Sequence, residues 1–234
     1  MNTQREQSIQ SWIASVLGSD QFETHFLAGD ASFRRYARIK LNNKTFMLMD
    51  APPEKEDCVP FVTIDEFFDA HGVRVPHIVA KDLEQGFLLL EDFGDVLLSV
   101  LLTDETVDGY YAQSFAQLIQ LQSIDGLKHF PEYSYEKLMS EMALLTDWML
   151  PSLQIKPSDE ENALIKRTFA ILANAALAQP QVIVHRDFHS RNLMALADEK
   201  EQGVIDFQDA VIGADTYDLI SITRDAYVQW NPER

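Results

Sequence analysis

The spacing of apolar residues changes near residue 91, and this change limits the folds that are open to the chain. Before it, apolar residues form strand-length runs, and we predict strands over residues 33–41, 45–50, 77–80 and 87–91. Asn42-Asn43 between the first two strands suits a tight hairpin turn. Two amphipathic helices accompany these strands, at residues 3–17 and 60–71. After it, helical periodicity dominates, and we predict helices over residues 104–124, 134–150, 158–178 and 215–229.

These two patterns predict an α+β fold with two lobes. The small, β-rich N-terminal lobe is expected over residues 1–90. A hinge at residues 91–95 leads to a larger helical lobe over residues 96–234. Only short strands interrupt the helical part, and they are predicted at residues 181–184, 193–196 and 203–207.

The charge of the chain argues against one broad class of function. The 234 residues carry a formal net charge of −18, whereas a general nucleic-acid binder needs a basic surface. No run approaches the roughly 18 apolar residues of a membrane span, and the polar N-terminus has no signal-peptide core. Cys58 is the only cysteine, so no internal disulfide is expected. We expect a cytoplasmic protein with neither nucleic-acid nor membrane partners, and the oligomeric state stays open.

One polar loop carries the strongest functional signal. It has the sequence His185-Arg186-Asp187-Phe188-His189-Ser190-Arg191-Asn192 and follows an apolar run, and Asp206 ends a second apolar run. Phosphoryl transfer needs a carboxylate that orients a hydroxyl group and takes its proton, and Asp187 is suited to that task. It also needs oxygen ligands for Mg²⁺, which Asn192 and Asp206 can supply.

A simpler explanation exists for each of these residues taken alone. Asp187 would serve equally well as a turn cap, Asn192 as a turn residue and Asp206 as a strand-end cap, but all three in this order favour the site. The alternating His185, Asp187 and His189 also fit a transition-metal cluster, although no further histidine lies nearby in the sequence. We expect His185 to brace the loop by hydrogen bonds.

The order of these motifs resembles the aminoglycoside phosphotransferase and choline kinase family over essentially the whole chain. Three segments look especially similar to the bacterial N-acetylmuramate/N-acetylglucosamine anomeric kinases. They are Gly29-Asp30-Ala31-Ser32-Phe33-Arg34-Arg35-Tyr36, Leu89-Leu90-Glu91-Asp92-Phe93-Gly94-Asp95 and Ile205-Asp206-Phe207-Gln208-Asp209-Ala210. The resemblance implies a protein kinase-like fold, ATP and Mg²⁺ as cofactors, and a small amino sugar as acceptor.

The resemblance implies that Asp187 is the catalytic base and that Asn192 and Asp206 are the metal ligands. Asp218 would brace the helical lobe. Members of the family continue with further helices, so we also expect the helical lobe to be incomplete at its C-terminus.

The resemblance also implies that the N-terminal lobe, residues 1–90, binds the nucleotide. The hairpin of residues 29–36 would cover the phosphates, and Ser32, Phe33 and Arg34 would be cofactor-binding residues. The backbone from Glu91 to Phe93 would be the hinge that hydrogen-bonds adenine.

The chain departs from the kinase pattern at the nucleotide. The hairpin has no G-x-G-x-x-G motif, and Met49 occupies the strand position where most kinases carry a lysine that holds the α- and β-phosphates. Either another basic residue supplies that charge, or nucleotide binding relies more on Mg²⁺. The candidates for the replacement are Arg34, Arg35 and Lys44.

Two features argue against a protein kinase. Gln208 stands where protein kinases have the glycine of D-F-G, and only eleven residues separate Asp206 from Asp218. That interval has no room for an activation loop with an A-P-E end. His189, two positions after Asp187, is also more typical of the small-molecule kinases.

Three hypotheses for function follow. The first is an ATP-dependent kinase that phosphorylates the anomeric hydroxyl of N-acetylmuramate and N-acetylglucosamine in cell-wall recycling. The second keeps the chemistry but has an aminoglycoside, choline or another small alcohol as acceptor. The third is a non-catalytic nucleotide-binding protein of kinase fold, which the missing strand lysine favours and the presence of Asp187 and Asp206 disfavours.

Overall fold

The chain contains both helices and strands, and the structure, a computed structural model, describes residues 3–28, 33–196 and 201–231. The strands are β1 (Glu23–Phe26), β2 (Arg35–Leu41), β3 (Lys44–Asp50), β4 (Ile78–Asp82), β5 (Phe87–Glu91), β6 (Gln181–Val184), β7 (Leu193–Ala195), β8 (Gln202–Val204) and β9 (Val211–Ala214). The α-helices are α1 (Thr3–Leu17), α2 (Val59–Ala70), α3 (Val107–Gln122), α4 (Tyr135–Met142), α5 (Leu150–Ser152), α6 (Asp159–Leu177) and α7 (Tyr217–Thr223). The predicted mixture of helix and strand is confirmed.

The contacts divide the chain into two units, which are described separately. The first unit comprises Met1–Ser114 and Ser190–Gln208. The second comprises Phe115–His189 and Asp209–Arg234. The lobe boundary at residues 91–95 stays a prediction.

An antiparallel sheet of five strands forms the centre of the first unit. Its strand order is β1-β2-β3-β5-β4. β2 and β3 form a hairpin in which Leu41 lies opposite Lys44, and Asn42 in the turn has a φ of 56°. Asparagine tolerates this left-handed conformation better than most residues, so the tight turn predicted at this position is confirmed.

Helix α1 covers one face of this sheet. Its apolar residues Ile9 and Ile13 are fully buried, and they belong to one cluster with β-strand side chains such as Leu48 and Phe87. Because Ile9 and Ile13 are four residues apart, they lie on one side of the helix. The amphipathic pattern at residues 3–17 therefore predicted both the bounds of α1 and its buried face.

Helix α2 makes an aromatic cluster in the same unit. The buried Phe61 and Phe68 both contact Phe207, with ring centroids 5.0 and 5.8 Å apart respectively. Phe207 is itself fully buried. Burying an aromatic side chain of this size stabilises a fold by roughly 2–3 kcal/mol, so the loop that contains Phe207 is held firmly against α2.

The second unit is largely helical. Strands β6 and β9 form an antiparallel pair in which Val184 lies opposite Val211. These two valines and Tyr133 form a buried cluster. Helix α6 begins with a capping box, in which Ser158 and Glu161 each accept a hydrogen bond from the backbone N–H of the other.

The structure corrects several predicted elements. β1 and β9 were not predicted, and the segment predicted as a single helix at residues 134–150 consists of α4, a π-helix at Leu145–Met149 and α5. The last helix ends at Thr223 rather than near residue 229, because the Asp225 side chain accepts the N–H of Tyr227 at 2.7 Å and forms a turn.

Among the described helices, none combines the length and the apolar character needed to cross a lipid bilayer.

Candidate active site

The predicted metal ligands Asn192 and Asp206 lie close together in the first unit. Asn192 directly precedes β7, Asp206 follows β8 by two residues, and the two strands pair so that Leu193 lies opposite Val204. The N–H of Ile205 donates to the carbonyl oxygen of Asn192 at 3.0 Å. This hairpin brings the amide nitrogen of Asn192 to 3.4 Å from Oδ2 of Asp206.

The Asp206 carboxylate is oriented by its neighbours. Its Oδ1 accepts a hydrogen bond from the Gln208 amide at 2.9 Å, and the side chain is exposed. Its backbone has a φ of 65°, a conformation that non-glycine residues adopt rarely and often at functional sites. Because Phe207 packs against α2, the backbone of the preceding residue, Asp206, is held in place.

The donor set of this pair fits a magnesium ion. An amide oxygen and a carboxylate oxygen are hard ligands of the type that Mg²⁺ prefers. The amide nitrogen of Asn192 donates to Asp206. A rotation of the Asn192 amide group would turn its oxygen toward a bound ion instead. Within the described ranges, no three His, Cys, Asp or Glu side chains come together as a metal site.

The loop that contains Asp187 belongs to the second unit, and Asp218 braces it. The fully buried carboxylate of Asp218 accepts the backbone N–H groups of His185 at 2.7 Å and Arg186 at 3.0 Å. Burial raises the pKa of Asp218 to about 7, while these two hydrogen bonds act in the opposite direction. The bracing role predicted for Asp218 is therefore fulfilled through the backbone of the loop.

His185 also supports this loop. Its ring is fully buried, its Nδ1 accepts the N–H of Asp187 at 3.3 Å, and it packs edge-on against Phe188 at 5.9 Å. His189 instead packs against Tyr227, with centroids 5.1 Å apart. The two imidazole rings are thus engaged in different contacts, which does not favour the transition-metal alternative. Asp187 itself is exposed.

Arg186 is held by a polar network of the second unit. It has a φ of 79°, and its Nη2 donates to Glu141 at 2.8 Å. Glu141 also accepts the Tyr133 hydroxyl, which lies 3.3 Å from the hydroxyl of Tyr217. A left-handed arginine is strained, so this network stabilises a conformation that the residue before Asp187 would otherwise avoid.

In the predicted adenine-binding segment, the side chains of Glu91 and Phe93 both contact Arg74 of the first unit. Glu91 accepts two hydrogen bonds from Arg74, at 2.7 and 2.6 Å, and these hold the pKa of Glu91 below its usual value. The Arg74 guanidinium also lies 4.6 Å from the centre of the Phe93 ring. On Gly203, a Cβ atom would overlap the same ring. The N–H of Glu91 donates to the carbonyl oxygen of His77 at 2.8 Å.

The predicted phosphate-covering residues have different outcomes. Ser32 lies outside the described residues. Phe33 is 61% exposed, and the ammonium group of Lys55 lies 5.4 Å from the centre of its ring. Arg34 donates from Nε and Nη2 to Oε1 of Glu56, at 3.0 and 2.6 Å. The functional roles of all the predicted site residues stay predictions.

Sequence reasoning did not identify the acidic partners of these arginines. Glu56 is 22 positions from Arg34, and Glu141 is 45 positions from Arg186. Pairs at such separations leave no periodic or spacing signal in a single sequence. Only the acidic character of the segment from residue 54 to residue 57 hinted at a nearby basic partner.

Comparison with known families places the chain. The model described as the phosphotransferase enzyme family matches residues 23–234, which is most of the sequence. The chain therefore belongs to this family, and the family predicted from its motifs is confirmed.

Curated relatives narrow the comparison. The chain is 41% identical over 208 residues to the N-acetylmuramate/N-acetylglucosamine kinase of Pseudomonas aeruginosa, which covers 88% of this chain and 61% of the relative. It is 34% identical over 236 residues to the protein of the same name from Neisseria meningitidis, which covers 98% of this chain and 70% of the relative. The chain thus spans about three fifths of the length of the Pseudomonas relatives that it matches.

A solved structure with a similar fold is that of the aminoglycoside phosphotransferase APH(2'')-Ib bound to ADP. The TM-score is 0.64 at 17% identity, and the match covers 94% of this chain and 75% of that chain. At this identity the likeness shows the fold alone. The predicted α+β fold of the kinase type is confirmed.

Proposed function

We propose that this chain is an ATP-dependent kinase that phosphorylates the anomeric hydroxyl of N-acetylmuramate and N-acetylglucosamine. The observation that carries the proposal is the identity of 34–41% to curated relatives that have this name. The retention of Asp187, Asn192 and Asp206 in their expected order supports it. We further propose a cytoplasmic role in peptidoglycan recycling, because both sugars are cell-wall components.

The reaction assigns Asp187 the role of base. The anomeric oxygen attacks the γ-phosphorus, the bond from that phosphorus to the β–γ bridging oxygen breaks, and ADP leaves. The hydroxyl proton passes to the Asp187 carboxylate as the new bond forms. Asp218 and His185 contribute by fixing the backbone of the Asp187 loop, since an exposed carboxylate must be held in position to act as a base.

Asn192 and Asp206 are the proposed ligands of Mg²⁺. When bound, the ion neutralises negative charge on the β- and γ-phosphates. Asp206 supplies the anionic ligand and Asn192 the neutral one, and Gln208 orients the Asp206 carboxylate through its hydrogen bond. Fixed ligand positions matter because Mg²⁺ tolerates little departure from octahedral geometry.

The nucleotide base is assigned to the segment from Glu91 to Phe93. The N–H of Glu91 already donates to the carbonyl oxygen of His77. The proposed hydrogen bonds to adenine are therefore made by the Glu91 carbonyl oxygen and the Phe93 backbone. The ion pair of Arg74 with Glu91 keeps this segment rigid, which lowers the entropic cost of binding.

An acceptor screen on the natural full-length protein tests the function. ADP release is measured with ATP, Mg²⁺ and each of N-acetylmuramate, N-acetylglucosamine, an aminoglycoside and choline. We expect turnover with the two amino sugars, and Asp187→Asn should reduce kcat by at least about a hundredfold. Asp20→Asn, an exposed aspartate, is the matched control and should leave kcat unchanged.

The outcomes separate the alternatives. Turnover with the aminoglycoside or choline alone would overturn the acceptor assignment and keep the chemistry. ADP binding without turnover of any acceptor would favour the non-catalytic protein. Unchanged turnover in Asp187→Asn would refute the assignment of Asp187 as the catalytic base.

A further inference from the structure

The strand position that carries a lysine in most kinases cannot supply a charge in this protein. Met49 is fully buried, and in the β2–β3 register it lies opposite Tyr36. The Tyr36 hydroxyl donates to the Met49 sulfur at 3.5 Å. If the chain binds a nucleoside polyphosphate, the cation that meets the phosphates comes from another residue.

Of the three basic candidates, Arg35 is committed to another task and Lys44 lies at the opposite end of the β2–β3 hairpin from Arg35. Arg35 pairs with Asp50, whose carboxylate is fully buried and also takes Arg5 at 2.6 Å. A buried carboxylate that loses an arginine is destabilised strongly, so Arg35 serves the fold. Lys44 is exposed at the turn of the β2–β3 hairpin, opposite Leu41.

Arg34 is largely buried, and the carboxylate of Glu56 orients it. Its side chain is 13% exposed, and that of Glu56 is 21% exposed. A guanidinium carries five N–H donors, and a single oxygen of Glu56 accepts from two of its nitrogens. Glu56 therefore fixes the plane of the guanidinium, as a glutamate commonly does for the strand lysine of kinases.

Arg34 and the proposed metal ligand Asp206 both act electrostatically on Tyr36. Burial raises the pKa of Tyr36, and the charge of Arg34 and a hydrogen bond from it lower the same pKa. The charges of Asp206 and Glu56 also act on the Tyr36 hydroxyl. Tyr36 is thus within electrostatic reach of both Arg34 and Asp206.

We propose that Arg34, held by Glu56, binds the phosphates of a nucleoside di- or triphosphate in place of the missing strand lysine. The assignment rests on the proposed function. A guanidinium matches phosphate oxygens with paired N–H donors and remains charged at all relevant pH values. The buried setting strengthens this contact, because water screens it less than it would an exposed lysine.

The Arg34 site predicts which part of the nucleotide it recognises. Affinity for ADP should depend on Arg34, whereas affinity for adenosine, which lacks phosphate, should not. Calorimetric titration of the natural full-length protein with Mg-ADP and with adenosine measures both. For Arg34→Gln we expect the Kd for ADP to rise at least about tenfold, since charge-assisted hydrogen bonds are lost.

Two further variants keep the test decisive. Lys44→Gln removes the same charge from an exposed position and should change the Kd for ADP less than about twofold. Arg34→Gln leaves Glu56 unpaired, so the double variant Arg34→Gln/Glu56→Gln removes both charges and should still bind adenosine normally but ADP weakly.

Three results would overturn the proposal. An unchanged Kd for ADP in the Arg34 variants would show that another group meets the phosphates. Equal losses for adenosine and ADP in both variants would show a structural role instead. A wild-type protein that binds adenosine and ADP with the same affinity would refute the Arg34 site, whereas one that binds neither would refute the proposed function itself.

Discussion

Replacing Asp65 with asparagine should make the stability of the protein much less sensitive to pH between 5 and 8. Asp65 lies on α2, is 1% exposed, and within the described ranges its Oδ2 has no hydrogen-bond partner. Burial, followed by the charges of Asp69 and Glu66, raises the pKa of Asp65 to about 8, and Lys81 opposes the rise.

The sign of the effect follows from the direction of this shift. An unfolded aspartate has a pKa of about 3.9, so between that value and about 8 the folded state holds a proton that the unfolded state has lost. The stabilisation is fully present below the unfolded pKa and is lost as the pH rises through the folded pKa. Each pH unit costs up to about 1.4 kcal/mol, which gives a loss on the order of 4 kcal/mol from pH 5 to pH 8.

Urea denaturation at pH 5, 6.5 and 8 measures this loss. The wild-type protein should lose stability steadily over the range, and Asp65→Asn should lose about 4 kcal/mol less. The loss that remains in the variant is assigned to Asp218, whose pKa is also raised by burial. Asp20→Asn is the control, because Asp20 is exposed and is not among the charges that act on Asp65, and it should follow the wild-type slope closely. Parallel curves for wild type and Asp65→Asn would refute the reasoning.

Two further predictions concern the backbone and the Asp187 loop. Gly86 and Gly18 both have positive φ values, but of the two only Gly86 has a position where a Cβ would overlap a main-chain carbonyl oxygen. In thermal denaturation, Gly86→Ala should therefore lower the free energy of unfolding by about 1–3 kcal/mol more than Gly18→Ala. Equal losses in the two variants would contradict the predicted overlap. Glu141→Gln removes the charge that pairs with Arg186, so kcat should fall about tenfold with KM for ATP unchanged in steady-state kinetics; an unchanged kcat would show that the pair does not position the loop.

Sequence periodicity predicted the elements whose signal is local. α1 and the β2–β3 hairpin followed from an amphipathic repeat and a two-residue asparagine turn. β1 and β9 have only four residues each, and β9 is buried throughout, so neither shows a clean alternation of apolar and polar residues.

Two predicted elements were too long for identifiable reasons. The strand predicted at 203–207 ends at Val204, because Asp206 adopts a left-handed backbone that cannot continue a strand. The helix predicted at 134–150 changes to a π-helix after α4, a local rearrangement that apolar spacing does not reveal.

The candidate site residues could be proposed from the sequence, whereas the side chains that support them could not. Asp187, Asn192 and Asp206 have a recognisable order because the reaction demands specific groups near short strands. The carboxylates of Glu56 and Glu141 reach their arginines only through tertiary structure. Long-range pairs of this kind become apparent only in the three-dimensional structure.

The absence of a side chain at Gly203 bears on the length of the nucleotide that the protein would accept. Because position 203 has no side chain, the Phe93 ring fills that space, and β8 ends only two residues before Asp206. One aromatic ring thus links the segment proposed for the adenine base to the hairpin proposed for the metal. In the proposed function, this packing fixes the spacing between the adenine-binding segment and the metal ligands, and that spacing would limit the length of the nucleotide that binds.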